Sequence, residues 1–77
     1  MIRKLAKELT KKIRQFDEWS YAYIQGNEIH VCNDGVCDAF VYDIDKQRVV
    51  YEPEQRTIDD KILAFIAKEY LVSKNMI

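Results

Sequence analysis

The sequence predicts an α+β fold in the order α-β-β-β-β-α, with two helices packed on one face of an antiparallel four-stranded meander sheet. A three-stranded sheet is the alternative, because the fourth predicted strand is short. Two observations predict this fold: both ends of the chain show helical periodicity, and the residues between them alternate with a period of two. With 77 residues, 48 % hydrophobic and 32 % charged, the composition is that of a single small globular domain covering residues 1–77.

The first element is predicted to be an amphipathic helix with one apolar side and one basic side. Its apolar residues recur at the spacing of one helix face and are Ile2, Leu5, Ala6, Leu9, Ile13 and Phe16. The cations on the opposite side are Arg3, Lys4, Lys7, Lys11 and Arg14. This basic side is either a solvated helix surface or a surface that follows a phosphate backbone.

Four segments of the middle region are predicted strands, separated by turn signals. They are residues 19–24, 28–32, 36–44 and 48–52. Gly26-Asn27 and Asp34-Gly35 each offer a two-residue hairpin turn, because Gly, Asn and Asp tolerate positive φ. Pro53 stops the last strand, since it has no N–H to donate.

The second helix is predicted to begin at Ile58, with Thr57 as its N-cap and with Asp59 and Asp60 at the positive end of the helix dipole. Its main apolar side is predicted to hold Ile58, Ile62, Phe65, Ile66 and Tyr70. Further apolar residues, namely Leu63, Ala67 and Leu71, extend around much of the remaining surface. Since this arc is wider than one sheet needs, part of the helix is expected to meet another chain.

Two-residue loops fix the predicted strand register, with Gln25 opposite Glu28, Asn33 opposite Val36 and Cys32 opposite Cys37. One sheet face then collects Ser20, Ala22, Ile24, Ile29, Val31, Val36, Asp38, Phe40, Tyr42 and Ile44, and is predicted to be the floor for both helices. The other collects Trp19, Tyr21, Tyr23, Glu28, His30, Cys32, Cys37, Ala39 and Val41, and is too apolar for a surface left to water. The alternative is that the helices divide between the two faces, or that this second face is the core.

Charge is unevenly distributed along the chain, although the net charge is only −1. No Lys or Arg occurs from residue 17 to residue 45, whereas seven acids do. Aromatic residues beside acids are typical of a surface that binds a protein with basic groups. The predicted partner-binding residues are Trp19, Tyr21, Tyr23, Glu28, Asp34 and Asp43.

No catalytic residue, metal site or cofactor is predicted. His30 and Cys32 have no third residue or Gly-rich phosphate loop beside them to suggest catalysis. Free thiols are preferred for Cys32 and Cys37, because a reducing cytoplasm disfavours the cross-strand disulfide that the register would allow. A zinc site built from both cysteines, His30 and Glu28 is disfavoured, because the ligand spacing does not match the usual pairs.

The order helix, antiparallel strands, helix resembles the double-stranded-RNA-binding domain over a similar length. That family places Lys-rich sequence at the start of its last helix to bind phosphates. Here the corresponding residues are Thr57, Ile58, Asp59 and Asp60, with Lys61 as the nearby base. Since acids repel phosphate, RNA binding is not carried over. An acidic sheet with a basic helix also resembles the small inhibitor proteins of phages and mobile elements.

The sequence therefore predicts a small non-catalytic protein–protein interaction module, in its sharpest form a phage or mobile-element-type inhibitor of a nucleic-acid-handling enzyme. One alternative is a nucleic-acid-binding protein that uses the basic first helix, and another is a structural subunit of a dimer or larger assembly. A homodimer is expected because so short a chain buries only roughly 60 % of its unfolded surface. The longest apolar runs fall short of the roughly 18 residues that span a bilayer, so the expected location is the cytoplasm.

Overall fold

The computed structural model describes residues 2–33, 36–52 and 57–77, with the side chains of residue 2 and of residues 36–38 outside the description. Its elements are α1 (Ile2–Arg14), β1 (Tyr21–Gln25), β2 (Glu28–Asn33), β3 (Val36–Asp43), β4 (Arg48–Tyr51) and α2 (Ile58–Ser73). The strands form one four-stranded antiparallel sheet in the order β1-β2-β3-β4. The predicted α+β meander is confirmed.

Both helices pack on the same face of the sheet. The core they form with that face consists of Leu9, Ile13, Ala22, Ile29, Val31, Phe40, Tyr42, Leu63, Ala64, Ala67, Tyr70 and Leu71. α1 lies mainly against β1, and α2 lies across β2 and β3. The predicted core face is therefore correct, and the alternative of one helix on each face is wrong.

The register between β2 and β3 differs from uninterrupted counting. Asn33 pairs with Val36 as predicted, but Val31 pairs with Phe40, and the register shifts between Val31 and Asn33. Uninterrupted counting from the turn would pair Val31 with Asp38, two residues before Phe40 in the chain. An irregularity of two residues leaves every later side chain on its predicted face, because side chains alternate with a period of two. The predicted pairing of Cys32 with Cys37 falls in this irregular stretch, and the side chain of Cys37 lies outside the description.

The side of α2 that the sheet buries matches the predicted main apolar side only in part, since Tyr70 is buried and Ile66 packs against the core. Ile58 is 75 % exposed and Phe65 is 62 % exposed, whereas Leu63, Ala67 and Leu71 are buried. The periodicity of a helix that is apolar on most sides does not identify the side that a sheet covers. Two of the buried residues, Ala64 and Ala67, are small, which lets this side of the helix approach the sheet closely.

α1 ends before the predicted Phe16, and its connection to β1 is held by Asp17. The Asp17 carboxylate accepts the Trp19 N–H at 3.1 Å and the Ser20 hydroxyl at 2.9 Å. Such a local side-chain turn offers the backbone an alternative to the helix. The hydroxyl of Thr10 on α1 then bonds both backbone groups of Ala22, at 2.9 and 3.1 Å. α1 thereby covers part of the outer edge of β1, which another strand could otherwise pair with.

The two ends of α2 are capped in different ways. The Thr57 hydroxyl accepts the Asp60 N–H at 3.3 Å, so the predicted N-cap is confirmed. At the other end Asn75 has φ +58°, and the Met76 N–H donates to the Leu71 carbonyl at 2.9 Å. This is the Schellman arrangement, with Asn in the left-handed position where Gly is commonest. It turns Met76 back onto the core, where the Tyr42 hydroxyl donates to its carbonyl.

A polar contact joins the two helices at their exposed junction. The buried Tyr70 hydroxyl donates to Glu8 Oε1 at 2.6 Å, and Lys74 Nζ lies 3.3 Å from the same oxygen. These two groups hold the pKa of Glu8 below its ordinary value of 4.5. Burial and the neighbouring carboxylate raise the pKa of Tyr70. The ionised form of Glu8 is therefore the form that the folded chain favours.

This contact predicts a pH-dependent stability difference between the wild type and a Glu8→Gln variant. A carboxyl group whose pKa is lowered on folding contributes stability above its unfolded pKa, here near 4.5, and loses that contribution as the pH falls through the lower folded value. We expect Glu8→Gln to be less stable at pH 7 and the difference to narrow below about pH 4.5. Denaturant unfolding over that pH range measures it, with Glu18→Gln at an exposed turn as the control. A stability difference between wild type and Glu8→Gln that stays constant or widens toward acid pH would contradict the lowered pKa of Glu8.

Candidate functional site: the outer sheet face

The face of the sheet turned away from both helices carries most of the large side chains predicted to bind a partner. The outer face is defined here by Tyr21, Tyr23, His30, Cys32, Ala39, Val41 and Tyr51. Strand pairing sets its rows: Tyr23 is opposite His30, His30 is opposite Val41, and Val41 is opposite Tyr51. Because residues directly paired across a sheet project to the same side, this row of four crosses the whole sheet.

The centre of the outer face is buried although neither helix covers it. His30, Cys32, Ala39 and Val41 on the two inner strands are each less than 9 % exposed. The tyrosines lie on the edge strands, where Tyr21 is 38 % and Tyr51 is 42 % exposed. The Tyr23 ring stacks on the His30 ring with centroids 5.1 Å apart, and the Tyr21 ring lies 6.1 Å from that of Tyr23. The result is an apolar floor bordered by aromatic rings.

Trp19 extends this aromatic series just before β1. It is 66 % exposed, and its backbone is fixed by the turn that Asp17 closes. Trp19 lies in the turn before β1 rather than in the strand, so its place beside the outer face follows from its position next to Tyr21 in the chain and from its exposure. All three aromatic residues predicted to bind a partner thus lie outside the core, with a fixed backbone beneath them.

Charged residues form the next row of the outer face, at the end of the sheet where the β1–β2 and β3–β4 turns lie. Glu28 pairs with Asp43, and Asp43 pairs with Arg48. Glu28 Oε1 lies 2.9 Å from His30 Nε2, and Asp43 Oδ1 accepts the Lys46 N–H at 3.0 Å. Glu28 and Asp43 therefore each also have a partner within the chain. Asp34, the remaining predicted contact residue, lies outside the described residues.

Two residues of this surface were missed by the sequence reasoning. Tyr51 adds a third tyrosine to the outer face, and Arg48 places a cation beside Asp43. The signal that could have found them is the pairing of β3 with β4, which sequence reasoning left without a register. That pairing shifts between Val41 and Tyr42, so counting from the turn would have given Arg48 opposite Asp43 but not Tyr51 opposite Val41.

The basic side of α1 lies on the opposite layer of the molecule. Its predicted residues Arg3, Lys4, Lys7, Lys11 and Arg14 are all exposed. Arg14 Nε also donates to the Ser20 carbonyl at 3.1 Å, which ties α1 to the start of β1. The other four are surface cations, as a nucleic-acid contact or a solvated helix side would both require.

An open groove of about 590 Å³ separates α1 from α2. Its walls include Lys12 and Phe16 on one side and Ile66 and Glu69 on the other. Among the residues that the structure describes, no three His, Cys, Asp or Glu side chains are grouped to hold a metal ion. Within the same ranges, neither helix has the length and apolar character that crossing a bilayer requires.

Comparison with known proteins adds no family to this description: no family model, no curated protein and no solved structure matches the chain significantly.

Proposed function

We propose that the chain is a non-catalytic protein-binding module whose outer face contacts a partner carrying both basic and apolar groups. The observation that carries this proposal is the position of the aromatic residues. Trp19, Tyr21 and Tyr51 are exposed on or beside a sheet face that neither helix covers. Tyr and Trp are enriched in interfaces, where they provide large contact areas at low entropic cost.

The floor between the tyrosines supports the same proposal. His30, Cys32 and Val41 are already buried in the free chain, so they support the rings around them, and the exposed rings provide the contact area for a partner. The sheet beneath is rigid, because α1 and α2 hold its other face. A preorganised aromatic surface loses little conformational entropy on binding.

The charge pattern favours a basic partner. Residues 17–45 contain no Lys or Arg, and the row next to the aromatic row holds two acids, Glu28 and Asp43, and one cation, Arg48. Complementary charge chiefly sets partner choice and association rate. In its sharpest form we propose an inhibitor of a nucleic-acid-handling enzyme, such as phages and mobile elements encode, because the phosphate-binding surfaces of such enzymes are basic. We further propose that it acts in the cytoplasm, without metal or cofactor.

Selection from a random peptide display library tests the chemistry of this partner directly. We expect the tagged chain to enrich peptides that combine Arg or Lys with aromatic or aliphatic residues. Their affinity should fall with rising salt, since exposed charges are screened. Enrichment of acidic peptides, or of none, would overturn the proposed partner chemistry.

A second candidate function is nucleic-acid binding through α1, favoured by the exposure of its cations along one helix side. This function predicts that a fluorescent single-stranded or duplex oligonucleotide binds at low salt and that neutralising Lys7, Lys11 and Arg14 weakens binding and its salt dependence. Under the protein-binding proposal neither oligonucleotide binds measurably, because the basic side of α1 is then a solvated helix surface.

A further inference from the structure

The exposed side of α2 is a second apolar surface, on the opposite side of the molecule from the outer face. Ile58, Phe65 and Val72 on this side are 75 %, 62 % and 53 % exposed. They are spaced seven residues apart, which places them within about 40° of one another around the helix. The α2 stripe is defined here by these three residues.

The stripe is symmetric about Phe65. Ile58 and Val72 lie seven residues before and after it, and Lys61 and Glu69 lie four residues before and after it. Lys61, Phe65 and Glu69 form one i±4 row, so their side chains are neighbours on the helix surface. Lys61 and Glu69 are exposed and have opposite charges.

A two-fold axis at Phe65 makes this surface complementary to itself. In an antiparallel pair of α2 helices related by that axis, the Lys61 ammonium of one copy meets the Glu69 carboxylate of the other, and the reciprocal pair forms by symmetry. The two Phe65 rings meet at the centre, and Ile58 of each copy faces Val72 of the other. Lys68, the other cation of the helix, is turned away to Glu52 at 2.5 Å, which removes a like charge from the pairing.

We infer that the α2 stripe is a homodimer interface, and that its occupant is the α2 helix of a second copy of this chain. A solvent-facing side with three large apolar residues is costly for a monomer, and a partner of any other sequence would have to match both its shape and its charge order. The surface is confined to one helix, so the interface is small and the dimer is weak, with a dissociation constant on the order of tens of micromolar. The outer face stays open in this dimer, so this inference stands independently of the proposed function.

Sedimentation equilibrium with charge-reversal variants tests the inference. We expect the wild type to be monomeric at about 1 μM and largely dimeric at about 300 μM, as that dissociation constant requires. Lys61→Glu places like charges together twice and is expected to weaken the dimer about tenfold at low salt. The double variant Lys61→Glu with Glu69→Lys restores both pairs in reverse and should recover the wild-type affinity.

Phe65→Ala is expected to weaken the dimer roughly a hundredfold, because each dimer loses two central rings. Phe65 is exposed, so circular dichroism of the monomer should be unchanged. A variant with Trp19→Ala and Tyr21→Ala on the outer face is the control and should dimerise like the wild type. The inference would be overturned if the wild type stayed monomeric at every concentration. It would also be overturned if the double charge swap failed to recover the wild-type dimer affinity, or if only the outer-face variant disrupted the dimer.

Discussion

Replacing both Trp19 and Tyr21 by Ala is expected to reduce binding of the selected basic peptides by at least a hundredfold while the fold stays native. Truncating a central aromatic residue of an interface commonly weakens the binding free energy by about 2 kcal/mol or more, which is a roughly thirtyfold loss of affinity for each residue. Neither side chain belongs to the core cluster, and Trp19 is 66 % and Tyr21 is 38 % exposed, so their truncation removes no core packing. Isothermal titration measures the binding, and circular dichroism and thermal unfolding measure the fold.

Phe65→Ala is the matched control for this double variant. It also removes an exposed ring, but from α2 rather than from the outer face, and it should bind the peptides with wild-type affinity. If the double variant unfolds, the two rings belong to the core and the outer face is not a docking surface. If it folds and still binds, the peptides contact a different surface.

The second large effect is expected at Asn33, at the centre of a chain of polar contacts beneath the helices. Asn33 Nδ2 donates to Asp60 Oδ1 at 3.0 Å, and Asn33 Oδ1 lies 3.5 Å from the Ser20 hydroxyl. Asp60 and Ser20 are buried, and Ser20 in turn donates to Asp17. These contacts connect the end of α1, the end of β2 and the start of α2.

Asn33→Ala should lower the free energy of unfolding by about 2 kcal/mol, because it removes a donor from a buried carboxylate that water cannot reach. For a domain of this size that loss corresponds to a fall in melting temperature of roughly 10 °C. Asn27→Ala is the control, since its amide donates to Asp45 at 2.7 Å in an exposed position and should contribute about 0.5 kcal/mol or less. If the two variants lost the same free energy of unfolding, the buried contact between Asn33 and Asp60 would not contribute to stability as described.

The faces of the sheet could be predicted from the sequence because alternation is local. Tyr21 and Tyr23 on one side, and Ala22 between them on the other, follow from chain geometry alone. The sequence favours the correct core face through Ile29 and Val31 but leaves the choice open, since that face also holds Ser20 and the rival face is largely apolar. The irregularity between β2 and β3 was not predictable, because nothing in the turn sequence specifies two additional residues further along a strand.

The candidate site was less predictable where it depends on distant parts of the chain. Tyr51 reaches the outer face through a strand pairing that shifts by one residue, and no local pattern encodes that shift. The side of α2 left to solvent was also missed, since Ile58 and Phe65 are as hydrophobic as the residues that the sheet buries. The packing of α2 across β2 and β3 decides which side is buried, and a local pattern does not encode that packing.

Acrylamide quenching of the fluorescence of Trp19, the single tryptophan of the chain, most directly tests whether the aromatic face is open in the free protein and closed by its partner. In dilute solution the indole should be quenched nearly as efficiently as a free tryptophan amide, and saturation with a selected basic peptide should protect it. A tryptophan already shielded in the dilute free chain, or one equally accessible in the complex, would contradict this description of the molecule.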